Sequence, residues 1–349
     1  MDITVSESAS RLFSSELAPL SALVLKRLEL EWRYHRRPDL EREEQQLLHY
    51  AGEFGRLMAV VYKFGLFSAL LRECEWFAGV FAARGSRRDA FALLLDSWIM
   101  AILSLLKEPE CNELARPLQY VREHLDQPVE KRASGTPAPR KADPALVEHI
   151  VRGDLEGARN ILSRLPSDRF PQDRLAADVL LPAMAEIGRL WELDELEIFQ
   201  EHLATETIRT LIAGLTATAP EPGEQGRVAL VSCAPEDKHD LIPLALAAHL
   251  IFRGWSAKNL GGSLPAAQIT RAVAFLRPDV LFLTFTMLSV LEGVLDVIAR
   301  VRPEFPDCRI ILGGRGASAA RDLLESRGAC VADDFDEGFR LASGGCLHA

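Results

Sequence analysis

The chain has no C-x-x-C pair, no uninterrupted apolar run of membrane-spanning length and no excess of positive charge. Its six cysteines, at 74, 111, 233, 308, 330 and 346, keep no regular spacing. They are expected to be reduced thiols in a cytoplasmic protein. The apolar stretch Ala92–Leu106 is broken by Asp96 and Ser97, short of the ~18 residues a spanning helix needs. A net charge of −10 removes the global electrostatic case for nucleic acid, and direct DNA binding is not expected. The first residues lack a basic region followed by an apolar core, so no signal peptide is expected. No Ser-His-Asp set, glycosidase-like carboxylate pair or H-E-x-x-H appears, which leaves no hydrolase to argue for.

What is present is organised in blocks. The 349 residues are enough for two or three domains. Residues 1 to about 12 are polar and expected to fray. From Leu17 to Leu125 apolar residues recur three and four apart, as in Leu47, Tyr50, Phe54, Leu57, Val60 and Val61, which predicts five or six helices in an all-α domain over 13–127. The Pro-rich stretch 128–144 reads as a linker. A second helical block, 145–218, divides into four helices and predicts a compact bundle. Within it Pro182 should kink the third helix, and Asp194 with Glu197 suggests a capping box for the fourth. After Gly226 the period changes. Strand-like runs at Val228–Val231, Ala257–Leu260, Val280–Thr286, Ile310–Leu312 and Cys330–Ala332 alternate with helical patterns, predicting a five-stranded parallel α/β domain over 227–349.

The stretch Cys233-Ala-Pro-Glu-Asp237-Lys-His239-Asp240-Leu-Ile242-Pro243 lies between the first of these strands and the helix after it. His239 therefore sits at the carboxyl end of a parallel strand, where open α/β sheets bind ligands. Asp237, two residues upstream, can orient the imidazole and raise its basicity as a metal ligand. An isolated D-x-H would more often be a polar helix start, with Asp237 or Asp240 near the first turn.

These blocks resemble the cobalamin-binding module, a helical cap followed by a flavodoxin-like domain, over about residues 145–345. The family's D/E-x-H-x-x-G is met by Asp237-Lys-His239-Asp-Leu-Ile242. Thr284-Phe-Thr286 stands at its S/T-x-T/L stretch and Gly313-Gly314 at its Gly pair. The resemblance implies cobalamin as cofactor, His239 as lower cobalt ligand in place of the displaced base, and a nucleotide tail running past Thr284, Thr286 and the Gly pair. Trp191, nine residues, then Glu201-His202 is similar to the adenosylcobalamin-dependent photoreceptor regulators. That branch implies Trp191 and Glu201 against the adenosyl group, and His202 as an upper cobalt ligand after photolysis. One departure is Ile242 where the motif has Gly, a branched side chain where close approach is expected.

The helical domain over 13–127 is too long for a small winged helix-turn-helix. Photocobilins pair the module with a globin-like domain that can hold a bilin. Tyr62, Phe64, Phe67, Trp76, Phe77, Phe81, Phe91 and Trp98 would wall such a chromophore, although an aromatic stripe at helical spacing is ordinarily core. His35, His49, His124, Cys74 and Cys111 make no chromophore signature. Dimerisation or docking of a signalling partner is the alternative role for this domain. Gly314-Arg-Gly316 with Asp333-Asp334 about twenty residues on imitates a dinucleotide fingerprint, but no second half follows it. The function expected is a cobalamin-binding, light-responsive regulator and not an enzyme. The alternative is a corrinoid carrier for a methyltransferase.

Overall fold

A computed structural model describes residues 4–34, 41–83, 88–125, 141–221 and 226–344. The chain divides into two compact units, Met1–Ser134 and Gly135–Ala349. Most of the expected linker lies outside the described residues.

The first unit is all-helical: α1 (Glu7–Ser15), α2 (Leu17–Tyr34), α3 (Glu41–Phe64), α4 (Phe67–Ala83), α5 (Arg88–Leu105) and α6 (Glu110–His124). The expected frayed start is instead a helix. Ser6 caps it, its hydroxyl accepting from Ala9 N at 3.2 Å. Phe13 is fully buried, its ring 4.9 Å from Tyr62 and 6.0 Å from Trp98. Phe13 and the buried Ala9 are too few apolar anchors to register as a period, yet they hold nine residues in place. The aromatics behave as core: Phe77 meets Phe54 edge-on at 5.4 Å and stacks on Phe91 at 6.1 Å. Tyr62 Oη donates to Leu114 O at 2.5 Å. His35 and the side chains of His49 and Phe81 lie outside what is described.

The second unit begins with the cap: α7 (Pro144–Val151), α8 (Leu155–Ser163), α9 (Gln172–Leu175), α10 (Leu181–Glu192) and α11 (Ile198–Thr216). A π-helical turn, Ala176–Leu180, joins α9 to α10, with Leu181 N donating to Ala176 O. The expected kink at Pro182 is thus displaced upstream. Pro182 stands in the first turn of α10, and the missing donor is absorbed by the wide turn before it. The capping box also moves. Asp194 takes a left-handed φ of 58°, and Glu197 caps α11 in a reciprocal pair with Gln200.

The α/β layer follows: β1 (Val228–Cys233), α12 (Leu241–Phe252), β2 (Ser256–Asn259), α13 (Ala266–Leu276), β3 (Val280–Thr284), α14 (Leu291–Glu304), β4 (Arg309–Gly313), α15 (Arg315–Ala319), α16 (Arg321–Ser326), β5 (Cys330–Ala332) and α17 (Phe335–Gly344). The strands pair in parallel in the order β2-β1-β3-β4-β5. This is the flavodoxin-like order, and its topological switch lies between β1 and β3. The last helix is absent from the sequence reading, and the single helical pattern expected over 317–327 is two short helices broken at Ala320. Cys330 is disulfide-bonded, whereas Cys74, Cys111, Cys233 and Cys308 are free. The expectation of six reduced thiols fails at that position, because spacing along a chain does not report which thiols the fold brings together.

Helix α12 is apolar all round because it serves two cores. Leu241, Ala245 and Ala248 join the cap cluster around Leu146, Ile150, Leu180, Ile187, Ile208 and Ile212. Leu246, Ala247 and Leu250 join the sheet cluster with Val231, Phe282 and Ile311. At its C-terminal end a polar group fastens the cap. Asp336 accepts from Arg174 Nη1 at 2.6 Å and from Arg253 Nη2 at 2.7 Å, and Arg253 Nε also reaches Asp173 at 3.2 Å. Buried His249 donates through Nδ1 to Asp173 O at 2.8 Å. Its Nε2 makes no hydrogen bond and lies 3.7 Å from Asp336.

Burial, joined by the charge of Arg253, holds His249 below its ordinary 6.5 against the opposing pull of the Asp173 carbonyl and the carboxylates. The unfolded chain therefore takes up a proton near 6.5 that the folded chain does not, so this residue's effect is a loss of stability as pH falls below that value. In His249→Asn the amide can still donate to Asp173 O but cannot titrate. Denaturant midpoints measured from pH 7.5 to 5 should fall more steeply in the wild type than in this variant, and parallel curves would contradict the assignment.

Candidate functional site

Between β1 and α12 the chain makes a tight polar loop at the switch point. Glu236 adopts a φ of 67°, which turns Asp237 back under the sheet's carboxyl edge. The Asp237 side chain is fully buried. Its Oδ1 accepts from His239 N at 2.8 Å and from His239 Nδ1 at 2.7 Å, and its Oδ2 accepts from Thr286 N at 2.6 Å. One carboxylate thus ties the loop after β1 to the loop after β3, the two sides of the switch. Burial raises the cost of its charge, but the His239 ring and the two backbone donors outweigh it, and the pKa is lowered below the ordinary carboxylate value. Asp237 is therefore an anion at neutral pH. With Nδ1 taken up by Asp237, Nε2 is the ring nitrogen left for a ligand, and the side chain is about half exposed, at 49%. A carboxylate on the far ring nitrogen and an open near one are what a metal-ligating imidazole needs.

The neighbouring strands supply hydroxyls and close backbone. In register, Cys233 lies beside Thr284 and Thr284 beside Gly313. Thr284 Oγ1 and Thr286 Oγ1 are buried and have no oxygen or nitrogen partner, the kind of orphan that a bound polar group satisfies. The Cys233 thiol is pushed up to about 12 by burial and then by Asp237, with the Thr284 hydroxyl pulling the other way. It is a neutral core thiol, not a nucleophile. Gly314 has a φ of 102°, and a Cβ there would fall 2.4 Å from Phe285 O. After β2, Ser263 N donates to Asp237 O at 3.2 Å, so a third loop closes on the same aspartate. Ile242, in the first turn of α12, is only partly buried.

On the cap, Trp191 lies in the last turn of α10 and is partly buried, with Glu201 and His202 in the first turns of α11. His202 Nδ1 is 2.9 Å from Ile198 O and 2.8 Å from Glu201 Oε2, and its side chain is 73% exposed. Glu201 also accepts from Thr205 at 3.0 Å. Ile198, Phe199 and Leu203, around His202, are exposed apolar side chains. Residues 198, 202, 206 and 209 follow the helical period and form one stripe. The stripe ends at Arg209, whose Nη2 donates to Asp240 at 2.9 Å, next to His239. Helical rise separates residues 202 and 209 by about 10 Å. His202 and the apolar patch therefore lie along the helix stripe that meets the His239 loop. Asp237, His239, Thr284, Thr286, Gly313 and Gly314 are gathered at one edge of the sheet. Trp191, Glu201 and His202 belong to the cap above it. Sequence reasoning missed Arg209 and Ser263. The period that places 202 and 209 on one stripe was the available signal for the first.

Comparison with known proteins gives the same division. Residues 144–216 and residues 227–340 each match a family profile described as a B12 binding domain. The chain is 30% identical over 166 residues to the HTH-type transcriptional repressor CarH of Myxococcus xanthus, covering 47% of this chain and 55% of that protein. It is 33% identical over 162 residues to the HTH-type transcriptional repressor CarA of the same organism, covering 45% and 53%. It thus spans about half the length of these two relatives. A third, dimethylamine corrinoid protein 3 of Methanosarcina acetivorans, is 23% identical over 185 residues, covering 52% of this chain and 84% of that one. No described helix is long and apolar enough to cross a membrane.

Two substitutions test the geometry without any ligand. Asp237→Ala leaves buried donors on both loops without their acceptor, and each such loss costs about 1–3 kcal/mol. Gly314→Ala forces a φ that only glycine adopts readily, at a cost of about 1–3 kcal/mol, and adds the clash with Phe285 O. Both variants should show clearly lower denaturant midpoints. A Gly314→Ala protein as stable as wild type would show that the turn has a different shape.

Proposed function

We propose that this chain, whose residues 144–216 and 227–340 are B12-binding domains, holds adenosylcobalamin between cap and sheet as a light-responsive regulatory element. The observation that carries the reading is the His239–Asp237 pair at the sheet's switch point. It lies beneath a cap whose Trp191…Glu201-His202 spacing resembles the light-sensing branch.

The residues fit the cofactor. His239 would offer Nε2 to cobalt, an imidazole donor suited to a first-row transition metal, with its ring held by Asp237. Thr284 and Thr286 have buried hydroxyls without an oxygen or nitrogen partner, available to a polar tail. Gly314 keeps backbone where a side chain would intrude. On the cap, Trp191 and Glu201 would face the adenosyl group, and the apolar residues Ile198, Phe199 and Leu203 would exclude water from it. Adenosylcobalamin supplies, when bound, a cobalt–carbon bond that light cleaves.

The chain's own part is to hold the cap in one of two positions. Contacts of Trp191 and Glu201 favour the closed one, and their loss is the bias a two-state switch requires. His202, already exposed, would turn from Ile198 O toward the upper cobalt position when those contacts are lost. The first unit would report the change to a protein partner or to a second copy of the chain. The second reading, a corrinoid carrier, is favoured by the 84% coverage of the dimethylamine corrinoid protein. A carrier would instead exchange its upper ligand with a methyltransferase.

The purified protein should take up adenosylcobalamin in the dark, and green light should change its visible spectrum together with its scattering profile or elution volume. His202→Ala should alter the illuminated spectrum and leave the dark one unchanged. If light changes neither spectrum, shape nor assembly, the sensor reading fails and the carrier takes its place. His239→Ala should bind cobalamin more weakly while retaining its fold, with any bound corrin keeping its own lower base. Ile242→Gly should tighten binding if the branched side chain crowds the corrin or its tail. Weaker binding without unfolding would mean that the pocket is adapted to isoleucine.

A further inference from the structure

We infer that Arg209 is a positioning residue that couples the cap to the cobalt-binding histidine, by holding Asp240 and through it the loop that carries His239. The inference rests on the reading of His239 as a corrinoid ligand and adds to it a route by which the cap acts on that ligand.

Asp240 stands at the N-cap of α12, where an aspartate ordinarily accepts a hydrogen bond from the first turn of its helix. Here it makes no such bond. Its Oδ1 accepts instead from Arg209 Nη2 at 2.9 Å, across from the cap helix α11. The guanidinium is shared, since Arg209 Nε also reaches Glu206 at 3.3 Å. Partly exposed ion pairs contribute little to stability, so an arrangement that gives up a helix cap for one is poorly explained as a stabilising device.

Position explains it better. A Cβ on Gly262 would lie 3.3 Å from Asp240 Cβ and 3.3 Å from Asp237 O, so Asp240 is wedged against the turn after β2. Asp240 N also donates to Lys238 O at 2.9 Å, which closes the backbone tightly around His239. The histidine is thus held from two sides. Asp237 fixes its ring from the sheet side, and Asp240, gripped by Arg209, fixes its backbone from the cap side. Any rigid displacement of α11 moves Arg209 along with His202, because both lie on one stripe of one helix. Closure of the cap and presentation of His239 are then a single event.

The test is a double-mutant cycle on adenosylcobalamin affinity, measured in the dark by absorbance titration, with Arg209→Met and His239→Ala. Arg209→Met should weaken binding about tenfold in the wild-type background and leave affinity unchanged in the His239→Ala background. Its bound spectrum should show a smaller fraction of histidine-ligated corrinoid. Arg209→Lys should restore part of the loss. Equal losses in both backgrounds, or none in either, would overturn the inference. In the ligand-free protein, Arg209→Met should speed amide exchange at His239 and Thr286, and unchanged exchange there would also overturn it. If the wild type binds no cobalamin, the proposed function fails, and the exchange measurement still decides whether Arg209 positions the loop.

Discussion

Helix α12 is the constraint on which the second unit depends, because it has no solvent face to give up. One side of it completes the cap core through Leu241, Ala245 and Ala248. The other covers the sheet through Leu246, Ala247 and Leu250. Cap and sheet therefore do not merely abut; each supplies the surface that the other's core lacks. A helix apolar on all sides must be buried on all sides, and this packing holds the cap against the sheet. Because α12 begins directly after the His239 loop, the same packing sets the height of that loop at the sheet edge.

Within this frame the buried carboxylate of Asp237 is the most demanding group. A buried charge is tolerable only when its lone pairs are occupied, and here the occupants come from the loops after β1 and β3. The carboxylate cannot leave without stranding donors on both sides of the switch, so it welds the crevice open at a fixed width. The His239 ring takes part in the same satisfaction. The orientation of the imidazole is consequently decided by folding and not by the ligand. That is preorganisation in the strict sense, since the cost of ordering the ring is met before anything binds.

The legible parts of this sequence are those in which one residue pattern has one structural meaning. Strand–loop–helix alternation after Gly226 gave all five strands in order, and D-x-H at the end of the first placed Asp237 and His239 where they are found. The reading failed where two local signals competed. Pro182 signals a kink inside a helix, but it falls in the first turn of α10, directly after a π-turn at Ala176–Leu180. Asp194 looks like a cap, yet its left-handed backbone makes it a turn residue and passes the cap to Glu197. Helix α1 was lost because its anchor, Phe13, is buried by rings nearly fifty and more residues away. Arg209 was lost for a similar reason, since its partner Asp240 lies 31 residues on, across the boundary between cap and sheet.

The two ends of α12 hold the cap unequally, and that asymmetry gives the cap a direction in which to move. At the C-terminal end Arg174 and Arg253 converge on Asp336, Arg253 also reaches Asp173, and His249 adds a buried bond to the same segment. Charge-assisted bonds that share partners reinforce one another. At the N-terminal end, among the described residues, the polar tie from α11 to the His239 loop is the pair Arg209–Asp240, with its guanidinium divided between two carboxylates. A body fastened by a network at one end and by a single pair at the other yields at the weaker end. The cap would then turn about the Asp336 cluster, with small movement near the π-turn and the largest at the first turns of α11, where His202 and the exposed apolar patch sit. The polar ties thus thin out on the cap side, toward the His239 loop, and concentrate behind it at Asp336.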